Sequence, residues 1–296
     1  DGVVRSKAAF DALDQSEVNE ISMLKDAAST AIYGSRGGDG VVLVTTKQGR
    51  KGKPTLQYSG SVTIEHPTKI LEFNDAVTHM NLTNFVFSDP SSSNHFSEDE
   101  YAYFAKTGAY SWYDEAYETP INTRHAVNVT GGNDRVDYYI GGAFFYQKGF
   151  LPNVDYKKYN LRANINAKIT KDLTASLSLS NTYGDRHRFN FTYDYESDDL
   201  NNLWGKLLNM NWNIPPYIDG KPVYAGWIAH PIERMRNGGY WKRSNQMVDA
   251  LISLEYKIPF VEGLSVKGIF SKNFNNQYTK SFDKKHTLYG FEIEGG

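Results

Sequence analysis

The stretch AIYGSRGGDGVVLVTTK, residues 31–47, decides how the rest of this chain is read. Before it lies a short apolar run at 18–24, then small residues that predict a helix with Asp26 as its N-cap and Gly34 as the glycine that stops it. Gly37, Gly38 and Gly40 permit positive φ and close backbone approach around Arg36 and Asp39, and 41–46 reads as a buried, β-branched strand. The order is strand, helix, glycine turn, strand. A phosphate-binding loop needs the opposite order, with the glycines after a strand and before a helix whose N-terminus holds the anion. A tight connection inside a small α/β unit accounts for the glycines without a ligand.

From residue 54 the pattern changes to period two. Leu56, Tyr58, Gly60, Val62 and Ile64 alternate with Gln57, Ser59, Ser61, Thr63 and Glu65, which is strand alternation. The same period recurs at 125–129, 136–147, 158–169, 173–180, 248–258 and 264–270. At 159–169 it is clearest: Tyr159, Leu161, Ala163, Ile165, Ala167 and Ile169 share one side, and Asn160, Arg162, Asn164, Asn166 and Lys168 the other. The connections at 131–135, 170–172 and 259–263 are short, 149–157 is intermediate, and 66–123 and 185–245 are long. Long strands with short turns at one end and long loops at the other favour a membrane β-barrel. A soluble sandwich gives the same alternation, so the period leaves both open.

Composition narrows the classes. Mean hydropathy is −0.55, and no run approaches the roughly 20 apolar residues that a spanning helix requires. There are 21 tyrosines, 16 phenylalanines and 25 glycines, the stock of aromatic girdles and tight turns. Cysteine is absent, which removes disulfides, thiolate metal sites and cysteine nucleophiles. A net charge of −2 gives no electrostatic case for nucleic acid.

Several residues resemble a known family. Asp26, Ala31, Ile32, Tyr33, Gly34, Ser35, Arg36, Gly37, Gly40 and the Thr45-Thr46-Lys47 end look like the closing half of the plug of TonB-dependent outer-membrane transporters, closest to the SusC/RagA branch of Bacteroidetes. Gly108, Tyr113 and Asp114, the segments 127–132 and 159–164, and Gln147-Lys148-Gly149 resemble the barrel of the same branch. The resemblance implies a fragment: 1–47 as the C-terminal half of a plug, 48–53 as a hinge, and 54–296 as the first strands of a transmembrane β-barrel of about 22 strands. It also implies nutrient import across the outer membrane of a Gram-negative bacterium, driven by TonB through a segment missing here. The expected partners are a SusD-like surface lipoprotein, membrane lipid, and an oligosaccharide or peptide substrate, glycans being preferred. A soluble carbohydrate-binding β-sandwich or barrel is the alternative.

Helices are expected at 75–87 and 97–107, the second with Ser97 and Glu100 as a capping box. Trp112, Tyr113, Trp204, Trp212 and Trp227 are the candidate substrate contacts, because aromatic faces stack on sugars; packing of the loops explains the same residues. Asp194, Glu196, Asp198 and Asp199 could offer oxygen ligands to calcium but lack an EF-hand spacing, so a solvated loop is the preferred reading. Seven scattered histidines without an i, i+4 pair give no zinc site. No catalytic arrangement is visible, and the chain is read as a non-enzyme.

Overall fold

The computed structural model describes residues 2–69, 74–190, 205–226 and 230–291. The chain opens with helix α1 (Lys7–Ala12), capped by Ser6, and a 3-10 turn at Gln15–Glu17 capped by Asp14. From sequence, 1–4 read as a turn and 5–16 as a polar connection, so these two helical turns are an addition. Strand β1 (Val18–Leu24) then pairs antiparallel with β2 (Val41–Thr46). Between them Asp26 caps α2 (Ala27–Thr30), which gives way to a 3-10 segment, Ala31–Gly37, kinked at Gly34 with φ 61°.

Two expectations in this unit need correction. The helix has one α-turn, because the Ser29 and Thr30 hydroxyls donate back to Asp26 (2.7 and 3.0 Å) and a helix this short has little else to hold it. Strand β2 is only half buried: Thr46 is enclosed while Val42, opposite Met23, is exposed, since a two-stranded ribbon has no second layer over that face among the described residues.

Seven strands form the main sheet: β3 (Gly52–Ile64), β4 (Ile121–Gly132), β5 (Val136–Lys148), β6 (Asp155–Lys168), β7 (Leu173–Arg188), β10 (Gly239–Lys257) and β11 (Ser265–Asp283). A separate two-residue pair, β8 (Tyr217–Ile218) with β9 (Lys221–Pro222), lies in a loop. The order β11-β10-β7-β6-β5-β4-β3 is an antiparallel meander in which every strand pairs with its neighbour along the chain. The sheet is open and is not a closed barrel among the described residues. Where 48–51 runs beside β5, a Cβ on Gly49 would overlap the backbone of Asp137 and Tyr138, so only glycine lets the linker lie that close.

Each of the seven strands coincides with an alternating segment, but some run further than the apolar pattern. β7 continues to Arg188 and β10 starts at Gly239, so the long connection expected at 185–245 is 189–238. β11 extends to Asp283. The hydrogen-bond ladder continues where the side chains turn polar, and hydropathy cannot see it. The long connection 65–120 holds α3 (Ala76–Val86, capped by Asp75), α4 (Glu98–Thr107, with the Ser97/Glu100 capping box) and α5 (Trp112–Ala116). In 189–238 lies α6 (Pro231–Asn237), capped by His230 with Pro231 at its first turn.

The two faces of the sheet are the reverse of a water-soluble protein's. Asn160, Arg162 and Asn164 on β6 are 2%, 7% and 1% exposed, whereas the alternating Tyr159 and Leu161 are 45% and 61% exposed. Leu56, Val62, Ile140, Leu179, Leu254, Phe270 and Phe274 continue that bare apolar face across the sheet. If it meets hydrocarbon, Leu161→Arg should cost about 2–4 kcal/mol of folding stability in a bilayer. If it meets water, the same change should stay within about 0.5 kcal/mol. Reversible urea unfolding of the full-length protein in vesicles separates the two.

Candidate functional site

The N-terminal unit lies on the polar face of strands β4–β7 and β10, joined to it by ion pairs and hydrogen bonds. The carbonyls of Ala12, Leu13 and Ser16 are turned to the sheet, which supplies their donors. Asn160 Nδ2 donates to Ala12 O (2.8 Å), Lys158 Nζ to Leu13 O (3.2 Å) and the Tyr139 hydroxyl to Ser16 O (3.2 Å). At the end of β2, Asn164 Nδ2 donates to Lys47 O (2.6 Å) and Thr46 Oγ1 (3.2 Å). Buried carbonyls must be satisfied; here side chains of the strands do it.

Ion pairs lock the same surface. Arg162 Nε meets Glu17 Oε2 at 2.9 Å with both side chains almost fully buried, Arg124 grips both oxygens of Asp14, and Arg5 reaches Asp249 at 3.2 Å. Burial pushes the Glu17 carboxyl above its ordinary range, and Arg162 only partly offsets this. For Asp14 burial also pushes upward, but hydrogen bonds from Arg124 and Ser16 outweigh it and the net shift is downward. The arrangement suits a contact that can open. Every group released would find water, and no apolar core would be torn.

The glycines singled out in the sequence shape this unit from within. A Cβ on Gly37 would sit 2.8 Å from Thr30 O, and Gly40 has φ 95° with a Cβ position 3.1 Å from Leu24 O. Gly38 stays in the right-handed region and needs no such freedom. Asp26 is the cap, Tyr33 is half buried, and Arg36 lies in the same 3-10 segment. The residues that join the unit to the sheet were not singled out. The available signal was a pair of carboxylates, Asp14 and Glu17, in a connection, set against three large polar residues on one strand face.

At the far end of the sheet the connections 65–120, 149–154 and 189–238 share one apolar core. Trp112 and Tyr113 are buried in it with Leu151, Phe189, Ile232 and Met235, and Trp112 Nε1 donates to Ile214 O at 2.9 Å. As they stand, neither ring offers more than a sliver of surface to a ligand. Trp212 packs in a second cluster against His79, Phe96 and Phe104. Trp204, Trp227 and the carboxylates Asp194, Glu196, Asp198 and Asp199 lie outside the described residues. Among the described residues no group of acidic or histidine side chains has the makings of a metal site.

His230 ties this loop core together. Its ring lies between Trp112 and Tyr217, Nδ1 accepts from the Glu233 N–H (3.0 Å), and Nε2 donates to Pro216 O (2.7 Å). Burial lowers its pKa below the ordinary 6.5, against the pull of Glu233 and with the help of His286.

Comparison with known proteins follows the same lines. No family model matches the chain. TonB-dependent receptor P3 of Formosa agariphila is 32% identical over 170 residues, 57% of this chain and 15% of that protein. TonB-dependent receptor SusC of Bacteroides thetaiotaomicron is 23% identical over 240 residues, 79% of this chain and 20% of that protein. A chain of the RagAB peptide importer in its open-open state superimposes with a TM-score of 0.73 at 18% identity, over 95% of this chain and 34% of its own. The chain is similar to TonB-dependent receptors of the SusC/RagA type. It spans about a fifth or less of the two receptors' length and about a third of the importer chain.

Two outcomes check the chemistry. Arg162→Met strands the Glu17 carboxylate and should weaken the docking of residues 12–17 by about 3–5 kcal/mol, while the pair Arg162→Met with Glu17→Gln should recover most of it; amide hydrogen exchange across 12–17 in the full-length protein reads both. The neutral His230 ring contributes stability that is complete above about pH 6.5 and is lost as pH falls from there toward its lowered pKa. Tryptophan fluorescence should therefore report loosening of the loop core on acidification, and His230→Asn, which keeps a cap but does not titrate, should abolish that dependence.

Proposed function

We propose that this chain is part of an outer-membrane importer of the SusC/RagA type. Residues 1–47 are the closing half of a plug, 48–53 its hinge, and 54–296 the first stretch of barrel wall, with the bare apolar face against lipid and the polar face toward the lumen. The observation that carries this reading is the pairing of a buried polar face, covered by the N-terminal unit, with an exposed apolar one. A soluble carbohydrate-binding sandwich would bury the opposite face.

On this reading the N-terminal unit blocks the lumen until TonB, acting through a segment outside this chain, pulls it from the wall. Its seat of ion pairs and side-chain-to-carbonyl hydrogen bonds supports such a role, because water replaces each of them when the unit moves. The loop core at the far end would sit outside the cell, where a SusD-like lipoprotein delivers the substrate. The substrate class is an oligomeric nutrient, a glycan or a peptide; the likeness to RagAB, a peptide importer, keeps peptides in view. No covalent chemistry is assigned to the chain.

The test uses the absence of cysteine from this sequence. Cysteines placed at Ala12 and Asn160, whose backbone and side chain already meet at 2.8 Å, are joined by a short reducible cross-linker in the full-length receptor in cells. Import of the nutrient on which growth depends should stop while the link is intact and resume on reduction. Unchanged import through the linked receptor would overturn the proposal.

A further inference from the structure

Above the N-terminal unit, the polar face of the sheet carries a cluster of cations with no role in holding that unit. Arg243 on β10 stands directly opposite Arg186 on β7. Alternation puts both on the polar face: Met247 and Ser253, on the same side of β10, are buried, and Asp249 there meets Arg5, while Ile252 and Leu254 are bare. The pair lies beyond Thr182, which reaches Ala12 O, and before Phe189, which belongs to the loop core. It therefore sits between the N-terminal unit and the loop end.

Two like charges directly opposite on neighbouring strands destabilise a sheet. Neither arginine has an ion pair among the described residues. Arg186 lies over the Tyr156 ring at 5.8 Å, and Arg243 lies over Trp241 at 4.6 Å with its Nε donating to Thr279 Oγ1 at 3.2 Å. Arg188 adds a further guanidinium over the same indole, at 4.5 Å. Carboxylates near in register do not relieve the charge. Asp155 and Asp185 alternate onto the opposite face, the first meeting His187 there, and Asp249 and Asp283 are taken by Arg5 and Arg234.

We propose that Arg186 and Arg243, with Tyr156 and Trp241, form a lumenal subsite that binds a carboxylate group of an oligomeric substrate. A guanidinium fork matches a carboxylate through two parallel hydrogen bonds, and the aromatic faces beside it give the apolar side of a sugar or peptide unit a surface to lie on. Charged side chains that line a pore set its ion preference, and lumen-facing positions tune barrel selectivity. The proposal rests on the importer reading and adds to it the charge of the cargo.

The test is binding to the full-length receptor in detergent at low salt, with two matched probe pairs that separate the sources of a carboxylate: oligogalacturonate against its methyl ester, and a Glu-rich peptide against its Gln counterpart. At least one acid should bind about ten-fold or more tightly than its neutral match. The preference should collapse in the double variant Arg186→Gln with Arg243→Gln, with an unchanged or higher Tm because a repulsion has been removed. Equal binding within both pairs, no binding of either acid, or a preference that survives the double substitution would overturn it. So would a fall in Tm, which would mean that the arginines serve a carboxylate of this same chain. Import through the cross-linked receptor fails or persists independently of these results, so the subsite and the importer reading are judged separately.

Discussion

The structure depends on a sheet whose middle strands hide their polar face and leave their apolar face bare. On β6 the alternation is strict: Asn160, Arg162 and Asn164 are enclosed, and Tyr159 and Leu161 stand free. In water this arrangement forgoes the main favourable term of folding, because the apolar area stays hydrated. A surrounding hydrocarbon removes that loss, and inside hydrocarbon a sheet must satisfy its backbone groups between strands. An uninterrupted seven-strand meander supplies those partners everywhere except along its two outer edges.

Where the polar face is covered, it needs something polar to meet. The N-terminal unit provides carbonyls at 12, 13, 16 and 47 and carboxylates at Asp14 and Glu17, and the strands answer with amides, a hydroxyl and guanidinium groups. Buried ion pairs of this kind add little net stability over an apolar contact, yet they fix position because a mismatched charge is expensive. A seat that is specific in register without being adhesive is what a proposed movable plug requires. The far end of the sheet follows the ordinary rule, with Trp112, Phe189 and Ile232 forming a conventional apolar core that links three connections.

Much of the fold was legible. The period-two segments marked all seven strands, and the Ser97/Glu100 capping box gave α4. Strand ends were misread where Asn181–Arg188 and Gly239–Gln246 lose the apolar pattern, since a ladder of backbone hydrogen bonds does not need apolar side chains to continue. The plug-like motif was recognised from Tyr33, Gly34 and Gly37, but these residues shape the unit internally. The residues that hold it to the sheet lie elsewhere, in a connection that composition marks only as polar.

Local order came from the sequence alone: the strands, their alternation, the helix caps at Asp26 and Ser97, and the glycines at Gly37 and Gly40 that only a close approach or a positive φ explains. These are near-neighbour properties, set by periodicity and backbone sterics within a few residues. Which face of the sheet the N-terminal unit covers, and that Arg162 meets Glu17 and Arg124 meets Asp14 across more than a hundred residues of chain, only the tertiary structure decided. Period two is blind to the choice of inside and outside, because lipid and a second sheet impose the same alternation; the choice rests on what the folded chain lays against each face.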